Sequence, residues 1–346
     1  MVSLDIVKES NARLRELGPG LVALFVGGTS GIGEATAKAF VHHAVSPHVY
    51  LVGRSASAAE RIIQECKALN NDGRVEFLQA DVSELGEVDR VCKEITSKEK
   101  HINLIVQSQG NLTLAGRIEN SNGLDRKMTL NYYSRMRFIT NLLPLLKSAT
   151  MAPPYLSRSQ SILSGGTEKS GFDKDDIELK ESYTGSKCAN QTIVMNTFMT
   201  GEYASRNPAT TFVHSFPGVV KTPLARELPL WARMGITAMW PVISLFAVPV
   251  DEVGERQLYI ATSGVFAPAQ KPKASSSSGV PPVGGQEIAK GLDGNSGSGA
   301  YIVNWNDDIA GNQKLFANYR KSGMGKTAWD HTMEVFQRLP PTDQKP

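Results

Sequence analysis

Residues 21–33 read LVALFVGGTSGIG. Leu21 to Val26 run without a polar break into the pair Gly27-Gly28, and two more glycines follow at Gly31 and Gly33. An uninterrupted apolar run of this length, stopped by glycines, reads as a strand buried on both faces. The Ala-rich stretch GEATAKAFVHHA (33–44) then reads as a helix. Glycine allows the tight turn between them and lets a ligand approach the backbone, while the first amides of the helix carry a partial positive charge. A pyrophosphate is the group such a turn holds. Gly27, Thr29, Ser30, Gly31, Ile32 and Gly33 are therefore candidate binding residues.

Outward from this turn the chain alternates. HVYLVGR (48–54), RVEFLQADV (74–82), INLIVQSQG (102–110), a run at 159–164 and another at 209–215 read as strands. Helical segments at 57–69, 87–98, 122–148 and 183–206 separate them, with Ser57 placed as a helix cap. AYIVNWN (300–306) supplies a last strand. Strict alternation of short apolar strands with helices of a dozen residues predicts an α/β fold, a doubly wound parallel sheet of about seven strands with helices on both faces.

Composition sets bounds on function. The 346 residues carry 37 Lys+Arg against 34 Asp+Glu, a net charge of +3, and 41% are hydrophobic. That is the balance of a folded globular chain, and the scattered basic residues form no stripe for nucleic acid. Cys66, Cys92 and Cys188 are far apart and form no CxxC, and His42-His43 point to different helix faces, so no metal site is expected. The first twenty residues lack the basic start and apolar run of a signal peptide, which predicts a cytoplasmic protein.

Two segments stand apart. Residues 222–250 are strongly apolar, but Arg233, Pro229, Pro241 and Pro249 interrupt them. They are expected to cover a substrate pocket rather than to span or anchor to a membrane. Residues 267–299 are rich in Ser, Gly and Pro and are expected to form a disordered insertion within one domain, 1–346.

ESYTGSKCANQ contains Tyr183-x-x-x-Lys187. On a helix those positions share a face, and a neighbouring ammonium lowers a phenol's pKa, making the tyrosine usable as an acid or base. With this motif, the glycine turn, GRS (53–55), ADV (80–82), LNYYS (130–134), SILSGG (161–166) and FPGVVKT (216–222), the sequence resembles the short-chain dehydrogenase/reductase family. The resemblance covers most of residues 20–265 and returns near Tyr301. It implies a single Rossmann-type domain, nicotinamide-dependent oxidation or reduction, and a homodimer or homotetramer.

The resemblance also implies roles. Ser164 would hydrogen-bond the substrate carbonyl, Tyr183 would pass the proton, and Lys187 would lower the tyrosine pKa and bind the nicotinamide ribose. Asn131 would hold a water of the proton relay. Gly110 belongs to the cofactor pocket, Pro217, Gly218, Val220 and Thr222 to the loop at the nicotinamide end, and Asp81 with Val82 to the adenine contacts. Arg54 and Ser55 follow the second strand, where an acid would select NAD; an arginine can pair with a 2′-phosphate, so NADP(H) is the expected cofactor.

Three departures qualify the resemblance. The family's Asn-Asn-Ala-Gly is Gln107-Ser108-Gln109-Gly110 here, Val26 replaces a threonine, and the gap from Ser164 to Tyr183 is long and charged. The long gap resembles members acting on bulky apolar substrates, including those of fungal natural-product pathways. Three readings stand: an NADP(H)-dependent enzyme acting on the carbonyl or alcohol of an apolar small molecule; an NADP(H)-binding protein with a non-redox role, as a cyclase, isomerase or regulatory module; or a membrane-surface enzyme acting on lipid-like alcohols through residues 222–250.

Overall fold

The computed structural model describes residues 1–271 and 278–340. After a short helix, α1 (Leu4–Ala12), the chain enters β1 (Val22–Val26), α2 (Gly31–His43), β2 (His48–Gly53), α3 (Ala56–Leu69), β3 (Arg74–Gln79), α4 (Leu85–Lys98) and β4 (Leu104–Gln107). Then come α5 (Arg126–Met128), α6 (Ser134–Ala149), β5 (Arg158–Ile162), α7 (Gly185–Arg206) and β6 (Thr211–Ser215). The last elements are α8 (Leu230–Ile243), α9 (Val250–Thr262), β7 (Ala300–Val303), α10 (Gln313–Lys321) and α11 (Met324–Arg338). The strands form one seven-stranded sheet in the order β3-β2-β1-β4-β5-β6-β7, every neighbouring pair parallel. This is the doubly wound Rossmann-type sheet expected from the alternation. Its order reverses between β1 and β4, and ligands of such sheets bind at the carboxyl ends beside that point.

Period-two burial explains the two layers. Val22, Leu24 and Val26 face a core shared with α4, α6, α7 and α11, while Ala23 and Phe25 face a second core with Phe40, Ile62 and Leu258. The helices α2 and α9 approach so closely that a Cβ on Gly254 would lie 2.9 Å from the backbone of Ala35.

Several boundaries differ from the expectations. Ser55, not Ser57, caps α3, its hydroxyl accepting from the Ala58 amide at 3.2 Å. The helix expected over 122–148 is broken by a π-helical turn at Thr129–Tyr133. The helix expected from 183 starts at Gly185, because the Thr184 hydroxyl accepts from the Lys187 amide and caps it there.

Residues 278–299, expected to be disordered, are packed instead. Val280 is buried in the second core and trades backbone hydrogen bonds with Thr262 and Gly264, and Ala289 bonds to Val265. A few branched residues inside a Ser/Gly-rich stretch suffice to seat it. Residues 272–277 of that segment lie outside the described residues.

One buried cation anchors this edge. Arg158, on β5, donates to the carbonyls of Ile260, Ser263 and Phe266 at 2.6, 3.0 and 2.8 Å. It closes the carboxyl end of α9, where free carbonyls and the helix dipole favour a positive charge. Burial pushes its pKa down to about 10. Arg158→Ala would strip three buried carbonyls of their donor, each costing about 1–3 kcal/mol. The expected loss in urea unfolding is about 3 kcal/mol or more; an unchanged midpoint would mean that those carbonyls find other donors.

Candidate active site

A cavity of about 320 Å³ opens at the carboxyl ends of β1, β2, β4 and β5. Its floor at one end is the glycine turn. Gly27 and Gly31 hold φ of +79° and +58°, and a Cβ on them would meet the Gln109 amide at 2.8 Å and Thr222 at 3.0 Å. Only glycine satisfies both limits there. Ser30 stands at the N-cap of α2 with no side-chain capping bond, so the helix's first amides are not capped by it. Thr29, Ser30, Gly31 and Ile32 line the cavity. Gly33 does not; it packs behind the turn, where a Cβ would strike Ser108 Oγ.

At the end of β2, Arg54 lines the same cavity. Its guanidinium lies 3.6 Å from Glu227, whose carboxylate also accepts from Asn111 Nδ2 at 2.8 Å. Ser55 is committed to capping α3 and does not reach the cavity. Asp81 and Val82 do, and Asp81 Oδ1 accepts from the Ser83 amide and hydroxyl. Burial raises the Asp81 pKa, but those bonds and the charges of Arg54 and Arg126 outweigh it and hold the carboxyl below its ordinary value.

Asn131, Ser164 and Pro217 line the cavity as well, and Thr222 lines it beside Gly31. Asn131 sits in the π-helical turn, its carbonyl accepting from Asn196 Nδ2 at 2.8 Å, and its buried side-chain oxygen has no partner. π-Turns recur at functional sites because they push one residue out of helical register. Gly110 lines the cavity beside that oxygen, 3.0 Å from where its Cβ would be. The Ser164 hydroxyl has no hydrogen-bond partner among the described residues. Gly218, at φ +80°, packs against Trp305 instead, and neither it nor Val220 lines the cavity.

A buried polar chain supports Ser164. Its amide donates to His214 Nε2 at 3.4 Å, so the ring proton belongs on Nδ1, which is 2.9 Å from Thr197 Oγ1; Thr197 in turn donates to Glu168. Burial, with the nearby Arg135 charge, pushes the His214 pKa down to about 3.

Arg135 was not singled out from the sequence, yet it holds the cavity floor together. It is fully buried and donates to the carbonyls of Gln107, Gln109 and Ile162 and to Ser161 Oγ. Burial pushes its pKa down to about 9. An arginine inside the apolar run after Asn131 was the available signal. Lys127, also missed, lines the cavity and donates to the Gly185 carbonyl at 3.3 Å.

Tyr183 and Lys187 do not line this cavity. Since α7 starts after Tyr183, the pair does not share a helix face, which corrects the expectation drawn from their spacing. The Tyr183 hydroxyl is buried beside Cys188 without a partner, and burial, with Cys188 and Asp125 nearby, pushes its pKa up. Lys187 Nζ bonds Asp173 Oδ2 at 2.6 Å and Ser182 Oγ at 2.5 Å. Asp173 comes from the charged excursion between Ser164 and Tyr183, which Asp176 ties down through the amides of Lys180, Glu181 and Ser182.

Comparison with known proteins agrees with this architecture. The sequence profile of the short chain dehydrogenases matches residues 21–233. The chain belongs to the short-chain dehydrogenase/reductase family. Oxidoreductase AN1596 of Emericella nidulans is 38% identical over 340 residues, covering 98% of this chain and 99% of that one. Short-chain dehydrogenase/reductase SAT2 of Stachybotrys chartarum is 31% identical over 358 residues, covering 98% of each. Among solved structures, the MalC Reductase/Diels-Alderase from Malbranchea aurantiaca shares the fold at TM-score 0.53 and 18% identity, over 72% of this chain and 93% of that one. The expected likeness to fungal members of the family is borne out. In this member, Asn131 and Ser164 reach the cavity, whereas Tyr183 and Lys187 are held beside it by Thr184, Asp173 and Ser182.

The buried histidine gives a pH signature. Unfolded, it takes up a proton near pH 6.5; folded, it resists until about 3. Between those values the unfolded chain binds more protons, so stability rises with pH and falls on acidification. Unfolding of His214→Gln compared with the parent from pH 6 to 4 is expected to remove a slope of about 1.4 kcal/mol per pH unit. Parallel profiles would mean that the ring is protonated in the fold.

Proposed function

We propose that this chain is an NADP(H)-dependent enzyme that moves hydride between the cofactor and the carbonyl or alcohol of a bulky apolar small molecule. The observation that carries the reading is the continuous cavity joining the glycine turn and Arg54 at one end to Asn131 and Ser164 at the other. The nucleotide fits that cradle. Gly27 and Gly31 leave the backbone bare where a pyrophosphate would lie, and Arg54 offers a guanidinium to a 2′-phosphate. An archaeal alcohol dehydrogenase from Thermococcus sibiricus with the same fold, at TM-score 0.50 and 18% identity over 70% of this chain and 90% of that one, was solved with 5-hydroxy-NADP.

Bound there, the nicotinamide supplies the hydride. The protein's part is position and proton. The Ser164 hydroxyl, unpartnered and held by His214 through its own amide, donates to the substrate oxygen. Tyr183 gives the proton as that oxygen becomes an alkoxide, and Lys187 stabilises the phenolate. For this, Lys187 leaves Asp173 and Ser182, and the first turn of α7 extends back to take in Tyr183. Only then does a phenol pushed above its ordinary pKa by burial become a usable acid at neutral pH. The buried, unpartnered Asn131 oxygen is a ready acceptor for a water beside that pair.

The displaced pair also favours a second reading, a cofactor-binding protein with a non-redox role. Turnover with NADPH deuterated at the nicotinamide 4-position separates the two: deuterium in the product supports hydride transfer, and its absence supports the second. Tyr183→Phe is expected to abolish turnover. Asp173→Asn, which frees Lys187, is expected to raise kcat and to move the ionisation of the proton donor to lower pH. Unchanged kinetics in both variants would remove Tyr183 from the mechanism.

Arg54→Ala is expected to weaken NADPH binding about tenfold or more, the worth of a hydrogen-bonded charge, and to leave NADH binding unchanged. Glu227→Gln, which frees Arg54, is expected to tighten NADPH roughly two- to fivefold, as loss of an exposed ion pair allows. Trp fluorescence titration reads both. Equal loss for the two cofactors in Arg54→Ala would exclude a 2′-phosphate contact.

A further inference from the structure

Residues 222–250, expected to cover a substrate pocket, meet the cavity only at their start. Among them, Thr222, Pro223, Leu224 and Arg226 line the cavity, and nothing beyond Arg226 does. From Pro229 to Ala247 no residue is buried. Trp231, Leu245 and Phe246 are 70%, 78% and 75% exposed, and Leu230, Met234, Met239 and Val242 are exposed with them. The segment leaves the body after the buried Leu228 and returns at Ala247, which forms a parallel bridge with Val219 closed by the Val248 amide on the Val219 carbonyl at 2.8 Å. It is an apolar projection clamped at its base, next to the cavity mouth.

Its charge has one sign. Between residues 220 and 250 the charged side chains are Lys221, Arg226, Arg233 and Glu227. Glu227 is occupied by Arg54 and Asn111, and Arg226 lines the cavity, so from Pro229 to Val250 the one charged side chain is Arg233, with Lys221 and Asp251 at the base. Lys221 Nζ stands 5.4 Å from the ring centre of Trp240, an aromatic–cation pair suited to a headgroup layer. Leu112 lines the cavity and is exposed, and its amide donates to the Leu224 carbonyl at 3.3 Å; Leu114 and Ile118, further along that loop, are exposed as well.

We propose that this projection rests in the surface of an anionic lipid bilayer and brings the cavity mouth to the lipid. No helix of the described residues is long and apolar enough to cross a membrane. The 14 residues of α8 extend about 21 Å, short of the ~30 Å hydrocarbon layer, which fits lying in the surface rather than spanning it. A second copy is the poorer occupant. A twofold pairing of the face sets Arg233 against its own copy, with no acid between Pro229 and Val250 to match it. The inference does not depend on hydride transfer: a non-redox protein with this projection would dock in the same way.

The test is flotation of the full chain with vesicles of phosphatidylcholine alone or mixed with phosphatidylserine, together with sedimentation velocity. The chain is expected to float with the mixed vesicles, weakly with the neutral ones, and less at high salt. Arg233→Gln is expected to weaken partitioning roughly fivefold, the worth of one basic residue at such a surface. Replacement of Trp231, Leu245 and Phe246 together by Ser is expected to abolish flotation; none of the three lines the cavity, so unchanged thermal unfolding and NADPH binding, where the parent binds it, show that the variant is intact. The proposal is overturned if the parent floats with neither vesicle, if neutral and anionic vesicles bind alike, or if the triple variant floats as the parent does. It is also overturned if sedimentation shows a dimer that the triple variant dissociates, which would assign the face to a second copy.

Discussion

The guanidinium of Arg135 is the interaction on which the cavity depends. At the carboxyl ends of β4 and β5 the last ladder pair is Gln107 with Ser161, and beyond it the strands must part to make room for a ligand. Parting leaves carbonyls without partners in a place too dry for water to serve them cheaply. One planar group with several fixed donors meets Gln107, Gln109, Ser161 and Ile162 at once. A lysine carries fewer donors and no fixed plane, so it could not bridge both strands in this way. The charge has no carboxylate partner among the described residues and is held by carbonyl dipoles; burial away from water lowers its pKa, and burial, helped by this nearby charge, keeps His214 neutral. The segment QSQG, which departs from the family's Asn-Asn-Ala-Gly, is thus secured from α6 rather than by its own side chains alone.

Most of the fold was legible because it rests on local periodicity. The apolar run at 21–26 and the alternation after it specify a buried parallel sheet, and the strands fall where those runs are. The glycine turn was legible for the same reason, since φ above zero and a close approach leave one residue type. The cavity residues Asn131 and Ser164 followed from motifs whose strand and helix context was itself visible.

What the sequence did not disclose is long-range or competitive. The spacing Tyr183-x-x-x-Lys187 says that two side chains share a face if a helix contains both. It does not say that Thr184 will stop the helix between the tyrosine and Gly185, or that Asp173 will take the lysine. Glu227 reaches Arg54 from a segment far along the chain, beyond any local pattern. The packing of residues 278–299 turns on single residues such as Val280 whose partners lie in α9 and beside β5. Composition averaged over the stretch conceals them.

The bridge between Val219 and Ala247 has a bearing on divergence. It closes the loop before the loop's own sequence matters. Once the ends are fixed, the entropy of a connecting segment changes slowly with length, about 0.6 kcal/mol for each doubling. Residues 229–246, beyond the cavity-lining stretch and the buried Leu228, can therefore be lengthened, shortened or exchanged with little strain on β6 or α9. Descendants of one ancestral sheet acquire new surroundings for the same cavity by swapping this single cassette, leaving the glycine turn and Arg54 as they were.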